Sequence, residues 1–144
     1  MSDERITSQQ RRFVSKRACD CCEYCYSQAK FATQSFSVEH IMPRYRGGQT
    51  TLDNLALSCQ GCNNHKHTKI EGIDPLTRES VSLYHPRKQV WSDHFTWNDD
   101  YTLIIGLTPT GRVTVSELQL NRPGLINLRR AIYALGEHPP IAKT

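Results

Sequence analysis

The clearest alternation of apolar and polar positions lies at residues 36–41, which have the sequence Phe-Ser-Val-Glu-His-Ile. Apolar side chains at every second position are typical of a β-strand with one face against a core. This segment therefore predicts a short strand, which Met42 and Pro43 end. Glu39 and His40 are side by side at the end of that strand. An acid next to a histidine makes this pair the best candidate for chemistry in the chain.

Residues 7–18 predict a helix, with Thr7 or Ser8 as its N-cap. Its apolar face is small, because Phe13 and Val14 are its main apolar side chains. Its cations permit two interpretations: a solvated helix that packs lightly on the core, or a surface that contacts phosphates. These cations are Arg11, Arg12, Lys16 and Arg17.

The strand is followed by a loop and a second predicted helix. Gly47 and Gly48 indicate a sharp bend of the backbone. Residues 52–57 predict a short turn or half-helix, and residues 63–70 predict a short helix. Such a helix would place Asn63 and His67 one turn apart on the same face.

The composition changes at residues 72–75, where a second half begins. Residues 101–107 and 112–118 have strand-like patterns, and the Thr-Pro-Thr-Gly sequence between them predicts a hairpin. Asn121 predicts the cap of a helix with Pro123 in its first turn. Two apolar groups are expected in the core of this half. They are the aromatic cluster of Trp91, His94, Phe95 and Trp97, and the helical stripe of Leu125, Leu128, Ile132 and Leu135.

With 144 residues, the chain is long enough for one domain with a modest core. The patterns predict an α+β protein in three parts packed as one unit: an N-terminal basic helix at 1–18, a core at 19–72 and a hairpin-plus-helix extension at 73–144. The formal charge of +4 suits a polyanionic partner without requiring one. No apolar run is long enough for a membrane span and no signal-peptide pattern is present. We therefore expect a soluble, cytoplasmic protein.

The six cysteines are too clustered for ordinary core positions. Two Cys-x-x-Cys pairs bracket the predicted strand, and in a reducing compartment this spacing favours zinc over disulfides. The first pair has two possible registers, Cys19 with Cys22 or Cys22 with Cys25, and we prefer the second. Four thiolates would form a closed, structural zinc site. Its predicted ligands are Cys22, Cys25, Cys59 and Cys62.

A histidine at a strand end can deprotonate water, and a neighbouring carboxylate can hold a divalent cation. His40 and Glu39 match these two roles. Adjacent strand residues point to opposite faces, so a helix must pack across the strand to complete one site. Asn63 and His67 on the next predicted helix are the candidates for that completion.

Three motifs together resemble a known family. They are Cys-Glu-Tyr-Cys at 22–25, Val-Glu-His-Ile-Met-Pro-Arg followed by Gly-Gly at 38–48, and Leu-Asp-Asn-Leu-Ala-Leu-Ser-Cys-Gln-Gly-Cys-Asn-Asn-His-Lys at 52–66. Their order and spacing are similar to those of the zinc-stapled HNH endonucleases, which have the ββα-metal fold and are related to the restriction enzyme McrA. This resemblance covers about residues 19–70. Residues 73–144 also resemble the tail of a bacterial subgroup of these nucleases.

The resemblance implies a role for each matching residue. His40 would be the general base that activates water against a phosphodiester, and Asn54 would hold the loop that carries it. Glu39 and Asn63 would bind the catalytic cation, Mg²⁺ or Mn²⁺, with Asn63 at a signature position that is usually histidine. His67 would add a ligand or a phosphate contact. Lys66 falls where the family contacts phosphate. Arg44 and Arg46, in the Gly-Gly loop beside this site, are expected to hold phosphates of a nucleic-acid partner, for which we expect DNA.

Two other functions are compatible with the same residues. The first is a zinc-ribbon module that binds nucleic acid without cutting it, because the cysteines and basic loops would serve such a module equally well. The second is a thiol-based redox protein that uses Cys19 and Cys21, which predicts that zinc is absent. A metal-dependent endonuclease is the leading hypothesis.

Overall fold

A computed structural model describes residues 5–140. It contains five helices and three two-stranded antiparallel sheets among these residues, which confirms the α+β class. The helices are α1 (Ser8–Arg17), α2 (Gln60–Lys66), α3 (Trp91–His94), α4 (Pro109–Leu118) and α5 (Pro123–Ala134). The strands are β1 (Ser37–His40), β2 (Leu55–Ser58), β3 (Glu71–Ile73), β4 (Ser80–Ser82), β5 (Phe95–Trp97) and β6 (Ile104–Gly106). Short 3₁₀ turns lie at Ala29–Phe31, Arg44–Arg46 and Leu52–Asn54.

The predicted strand is β1, and it forms a hairpin with β2 in which His40 pairs with Leu55. The alternation of β1 divides its side chains between two faces. Val38 packs in a small cluster with Val14 of α1 and with Leu57. Glu39 pairs with Ala56, which belongs to a second and larger cluster. His40 therefore shares the α1 side of the hairpin with Val38, whereas Glu39 lies on the opposite side.

Helix α1 forms where the sequence predicts it. The Thr7 hydroxyl accepts a hydrogen bond from the Gln10 amide, and the Gln10 side chain accepts one from the Thr7 amide, which completes a capping box. Among the cations of α1, Arg17 donates to the backbone carbonyls of Leu52 and Leu55. Arg17 therefore holds α1 against β2.

The predicted hairpin of residues 101–118 is wrong, because residues 109–118 form helix α4. Strand β6 pairs instead with β5, so that Phe95 lies opposite Gly106. The Thr108 hydroxyl caps α4 by accepting from the Gly111 amide, and Pro109 occupies its first turn. A side chain at Gly106 would lie 2.5 Å from the Arg112 nitrogen, so glycine allows α4 to pack directly on β6. Tertiary packing of Val113 and Leu118 thus overrides the strand-like alternation of 112–118.

Helix α5 follows the prediction only in part. Pro123 lies in its first turn, but Arg122 takes the N-cap position, and Asn121 instead bonds the amide and carbonyl of Ile104. In the predicted stripe, Leu125 and Ile132 are buried, Leu128 is half-buried and Leu135 is 71% exposed. Leu135 follows the last helical residue, so it leaves the stripe.

A buried arginine replaces part of that apolar stripe. The guanidinium of Arg129 donates to the carbonyls of Thr102 and Leu120 and lies over the Trp97 ring. These acceptors satisfy the desolvated charge, which the hydrophobic pattern alone did not predict.

The larger hydrophobic cluster joins residues 22–62 to the C-terminal half of the chain. The first segment contributes Tyr24 and Ile41, and the C-terminal half contributes Tyr84, Phe95 and Leu125. A fully buried aspartate, Asp74, adds an ion pair with Arg112 of α4 through two hydrogen bonds of 3.0 and 2.9 Å. No helix between residues 5 and 140 is long and apolar enough to cross a membrane.

Candidate functional site

Four cysteines converge on one point, as their spacing predicts. The Sγ atoms of Cys22, Cys25, Cys59 and Cys62 all lie within 4.8 Å of one another, and all four residues are buried. Cys25 and Cys59 have their sulfurs 3.7 Å apart. Tetrahedral zinc with bonds of about 2.3 Å separates thiolates by roughly 3.8 Å, so the four residues fit a structural zinc ion.

This geometry supports the preferred register of the first pair. Cys19 is exposed and lies outside the cluster, and the Cys21 thiol donates to the Cys19 carbonyl at 3.4 Å. Since the redox hypothesis requires a protein without zinc, a complete four-thiolate cluster weighs against it. The second pair is positioned by α2, whose N-cap is Cys59, with its sulfur accepting from the Cys62 amide.

An arginine that the sequence did not single out lies against the zinc ligands. Arg122 donates to the sulfurs of Cys59 and Cys62 at 3.3 and 3.6 Å. A side chain at Gly61, between these two cysteines, would lie 2.3 Å from the Arg122 guanidinium. In the sequence, Gly61 is the signal that another group approaches the backbone closely at this position. Four thiolates leave zinc with a net negative charge, which the guanidinium of Arg122 counters.

His40 is half-buried at the end of β1, and its Nε2 lies 2.8 Å from the Thr50 hydroxyl. The loop between these two residues is closed by Asn54. The Asn54 side chain accepts from the Met42 amide at 2.8 Å and donates to the carbonyls of Met42 and Gln49 at 3.1 and 2.9 Å. These contacts fix the backbone that follows His40.

Glu39 has a different environment from the one expected. Its two oxygens are engaged by the Tyr24 hydroxyl and by the Lys66 ammonium, the latter at 3.2 Å. Lys66 also donates to the Ile41 carbonyl at 3.0 Å and is only 2% exposed. Burial raises the pKa of Glu39, and Lys66 and Tyr24 oppose that shift without cancelling it. Burial and the nearby carboxylate also raise the pKa of Tyr24 well above its usual value, which keeps Tyr24 a donor.

Comparison with known families decides what this segment is. Residues 22–69 match the family model for HNH endonucleases. Residues 22–69 form an HNH domain. The match contains the four clustered cysteines together with His40, Asn54 and Asn63. A search of curated proteins found no match.

Two assignments within the HNH domain need correction. Lys66 is buried against Glu39, which contradicts its expected place on a nucleic-acid surface. Glu39 is also buried, and its negative charge is already met by the Lys66 ammonium. Among the described residues, the cysteine cluster is the one group of three or more potential metal-binding His, Cys, Asp or Glu side chains. As arranged here, the Glu39 carboxylate is already engaged by Tyr24 and Lys66 and does not offer a free ligand to a divalent cation.

The helix that carries Asn63 also differs from the prediction. Helix α2 begins at Gln60 and ends at Lys66, whereas the expected helix covered 63–70. Asn63 is half-buried on α2, but His67 has a φ of 51° and leaves the helix, so the two side chains do not share a helical face. His67 is exposed, and its Nδ1 lies 3.1 Å from the Thr68 hydroxyl.

Two residues that are expected to contact phosphates lie on the surface of the HNH domain. Arg44 and Arg46 are exposed on the 3₁₀ turn that follows His40. Arg46 stacks its guanidinium over the Tyr45 ring, 5.2 Å from the centroid. Gly47 ends this turn with a φ of 95°, a conformation that glycine adopts at little cost.

Proposed function

We propose that this protein is an endonuclease that hydrolyses phosphodiester bonds in DNA, with His40 as its general base. The carrying observation is the position of His40 within the HNH domain. It ends β1 beside an exposed arginine-containing turn, on a backbone that Asn54 fixes with three hydrogen bonds. A fixed imidazole next to phosphate-binding cations is suited to general base catalysis.

In the proposed reaction, the neutral imidazole of His40 takes a proton from a water molecule. The water oxygen bonds to phosphorus, and the bond from phosphorus to the leaving oxygen breaks, so that this oxygen departs with the electron pair and takes a proton from solvent water. The Thr50 hydroxyl, 2.8 Å from Nε2, orients the ring. Arg44 and Arg46 hold flanking phosphates by charge. A zinc ion held by Cys22, Cys25, Cys59 and Cys62 would supply only structural support to the fold.

The decisive experiment compares wild type with His40→Ala in a plasmid-nicking assay with Mg²⁺, Mn²⁺ or a chelator. The variant should lose cleavage by roughly a hundredfold or more, since a general base contributes about 10²–10⁴ in rate. Its zinc content, thermal stability and DNA affinity should remain unchanged. Arg130→Ala is the control because its side chain is exposed on α5, outside the HNH domain. Equal cleavage by His40→Ala and wild type would show that the base is misassigned.

The cation arms of this assay test the expected requirement for Mg²⁺ or Mn²⁺ directly. The Lys66 ammonium already contacts the Glu39 carboxylate and would repel a second cation at that position. We therefore assign no step of the proposed reaction to a cation at Glu39.

The same ion pair favours a second candidate function, a zinc-ribbon module that binds nucleic acid without cutting it. This alternative predicts binding to DNA with no cleavage of any substrate form under any cation condition. The nicking assay and a binding measurement on the same preparation separate the two functions.

Arg44 and Arg46 make a further prediction about DNA binding. Replacing both with alanine should weaken binding without base preference and lower the salt slope of log K by roughly two, at about one per lost phosphate contact. Fluorescence anisotropy across a salt series measures this slope. Lys30→Ala with Arg130→Ala is the control, since both cations are exposed and lie outside the Arg44–Arg46 turn. An unchanged slope in the Arg44 and Arg46 variant would contradict the proposed contacts.

A further inference from the structure

A cavity of about 330 Å³ lies where the HNH domain meets the C-terminal half. Its lining includes Ile41 and Met42, directly after His40, and six of the residues between Ser82 and Gln89. Ile41, Leu83 and Tyr84 are buried and give the cavity an apolar floor. The cavity has the size of a small-molecule pocket, too small for a duplex and large enough for a single nucleotide.

The polar groups around this floor are cations and hydrogen-bonding groups. Lys69 and Lys88 are exposed at the cavity, and no acidic side chain is among the described residues that line it. Lys69 has a surface contact of 3.9 Å with Glu117, which is weak enough for a phosphate to replace. Lys66 also lines the cavity, but its ammonium is held by Glu39.

His85 adds a neutral donor to the same cavity. Its Nδ1 accepts a hydrogen bond from the Arg87 amide at 3.2 Å, which places the ring proton on Nε2. Burial, followed by the charges of Lys88 and Arg87, lowers the pKa of His85. The side-chain oxygen of Gln89 accepts from the His85 amide, which leaves the Gln89 amino group to donate. These groups suit the polar edge of a base more than they suit a second phosphate.

We propose that this cavity binds one unpaired nucleotide of the nucleic-acid substrate, with the base on the apolar floor and a flanking phosphate at Lys69 and Lys88. The inference rests on the proposed nuclease function and names its substrate class. An unpaired base enters such a cavity more readily than a paired one, because extrusion from a duplex costs a few kcal/mol. The protein should therefore prefer DNA with an unpaired base at a bulge, junction or single-stranded segment.

The test fills the cavity from β4. Ser82 lines the cavity and is exposed, so Ser82→Tyr adds an aromatic ring without removing a core side chain. Ser80→Tyr is the matched control, since Ser80 is exposed two residues earlier on the same strand and does not line the cavity. Both variants are made in a His40→Ala background so that binding is measured without cleavage. Zinc content and circular dichroism establish that each variant folds.

The probes are two duplexes, one with a bulged 2-aminopurine and one with the same base paired. The His40→Ala parent and its Ser80→Tyr variant should bind the bulged duplex about tenfold more tightly than the paired duplex. The fluorescence of the bulged 2-aminopurine should change on binding. Ser82→Tyr should bind both duplexes equally. Equal affinities in the parent, or an intact preference in folded Ser82→Tyr, would overturn the proposal.

A second variant keeps the test decisive if Ser82→Tyr does not fold. Lys69→Ala with Lys88→Ala removes only exposed side chains and should lower the salt slope for the bulged duplex by about one per lost contact. Arg130→Ala is its control, because Arg130 is exposed on α5 and does not line the cavity. An unchanged slope would overturn the phosphate part of the proposal.

A free-nucleotide arm separates substrate binding from binding of a soluble ligand. 2-Aminopurine monophosphate should compete only weakly with the bulged duplex, because it lacks the neighbouring phosphates. Tight binding of the free nucleotide would overturn the assignment to a substrate base. If the wild type cuts DNA while bulged and paired duplexes behave alike, this inference fails and the nuclease function stands. If the bulged duplex binds but no DNA form is cut, the nuclease function fails instead.

Discussion

The pair formed by Glu39 and Lys66 shows how one residue can have a role other than the one its motif position implies. Both side chains are almost fully buried, at 9% and 3% exposure. Tyr24 and the Ile41 carbonyl complete their hydrogen bonds. A buried charge is tolerated when it is paired and hydrogen-bonded in this way. Each side chain therefore makes the burial of the other possible.

We expect Glu39→Gln and Lys66→Met to destabilise the fold by roughly 3–5 kcal/mol each, because each leaves an uncompensated or poorly matched buried partner. The double variant should cost much less than the sum. Urea unfolding of the four proteins gives the coupling energy. The exposed pair of Lys30 and Glu137, 3.0 Å apart, is the control and should couple by less than about 1 kcal/mol. Additive effects at Glu39 and Lys66 would contradict the pair.

At this scale the sequence determined the zinc ligands but not the surroundings of Glu39. The spacing of the cysteine pairs encodes a local geometry, so the four ligands between Cys22 and Cys62 could be predicted from the sequence. Strand alternation showed only that Glu39 and His40 face opposite sides. Whether α2 covers the side that carries Glu39 depends on how that helix packs, and this is a long-range property. Lys66 was assigned to the surface for the same reason.

Helix α4 is the element whose type the sequence misled. Its Val-Thr-Val-Ser run at 113–116 has the alternation and β-branching of a strand. Thr108 and Pro109, at the start of α4, are a helix start signal. That signal competed with the interpretation of the same residues as a hairpin turn. A deciding contact comes from elsewhere in the chain, since the Tyr84 amide donates to the Thr114 hydroxyl.

The cap of α4 gives a prediction at the scale of this element. Thr108→Ala should destabilise the protein by about 1 kcal/mol or somewhat more, since the hydroxyl caps the Gly111 amide at 3.0 Å and also lies 2.6 Å from His94 Nδ1. Thr108→Ser should retain most of the stability because it keeps the hydroxyl. Chemical denaturation measures both. Equal losses in the two variants would assign the effect to the methyl group.

On the scale of the whole molecule, the C-terminal half contributes directly to the zinc site. Arg122 precedes α5 and donates to the two sulfurs of the second cysteine pair. Burial lowers the pKa of Arg122, but the neighbouring cysteines, Cys62 above all, together outweigh burial, so that the pKa is raised. The guanidinium therefore stays charged, and the extension and the zinc site stabilise each other.

Arg122→Met should weaken zinc binding, because groups that contact metal ligands typically change metal affinity by about 10–100-fold. The loss of two charge-assisted hydrogen bonds leaves the thiolates more basic and easier to protonate or oxidise. Competition with a chromogenic chelator measures zinc release, which should be correspondingly faster. Arg130→Met is the control, since Arg130 is exposed on α5. Equal release from Arg122→Met and wild type would show that the contacts with sulfur do not stabilise the metal.

The position of Arg122 in the chain also affects the order in which the protein is made. Cys62 and Arg122 are separated by 60 residues. At a synthesis rate of about 5–20 residues per second, all four thiolates leave the ribosome roughly 3–12 s before the guanidinium that covers two of them. During that interval the nascent chain presents its zinc ligands without their counter-ion. A metal ion that binds within this interval therefore meets a more reactive form of the site than the one in the finished fold.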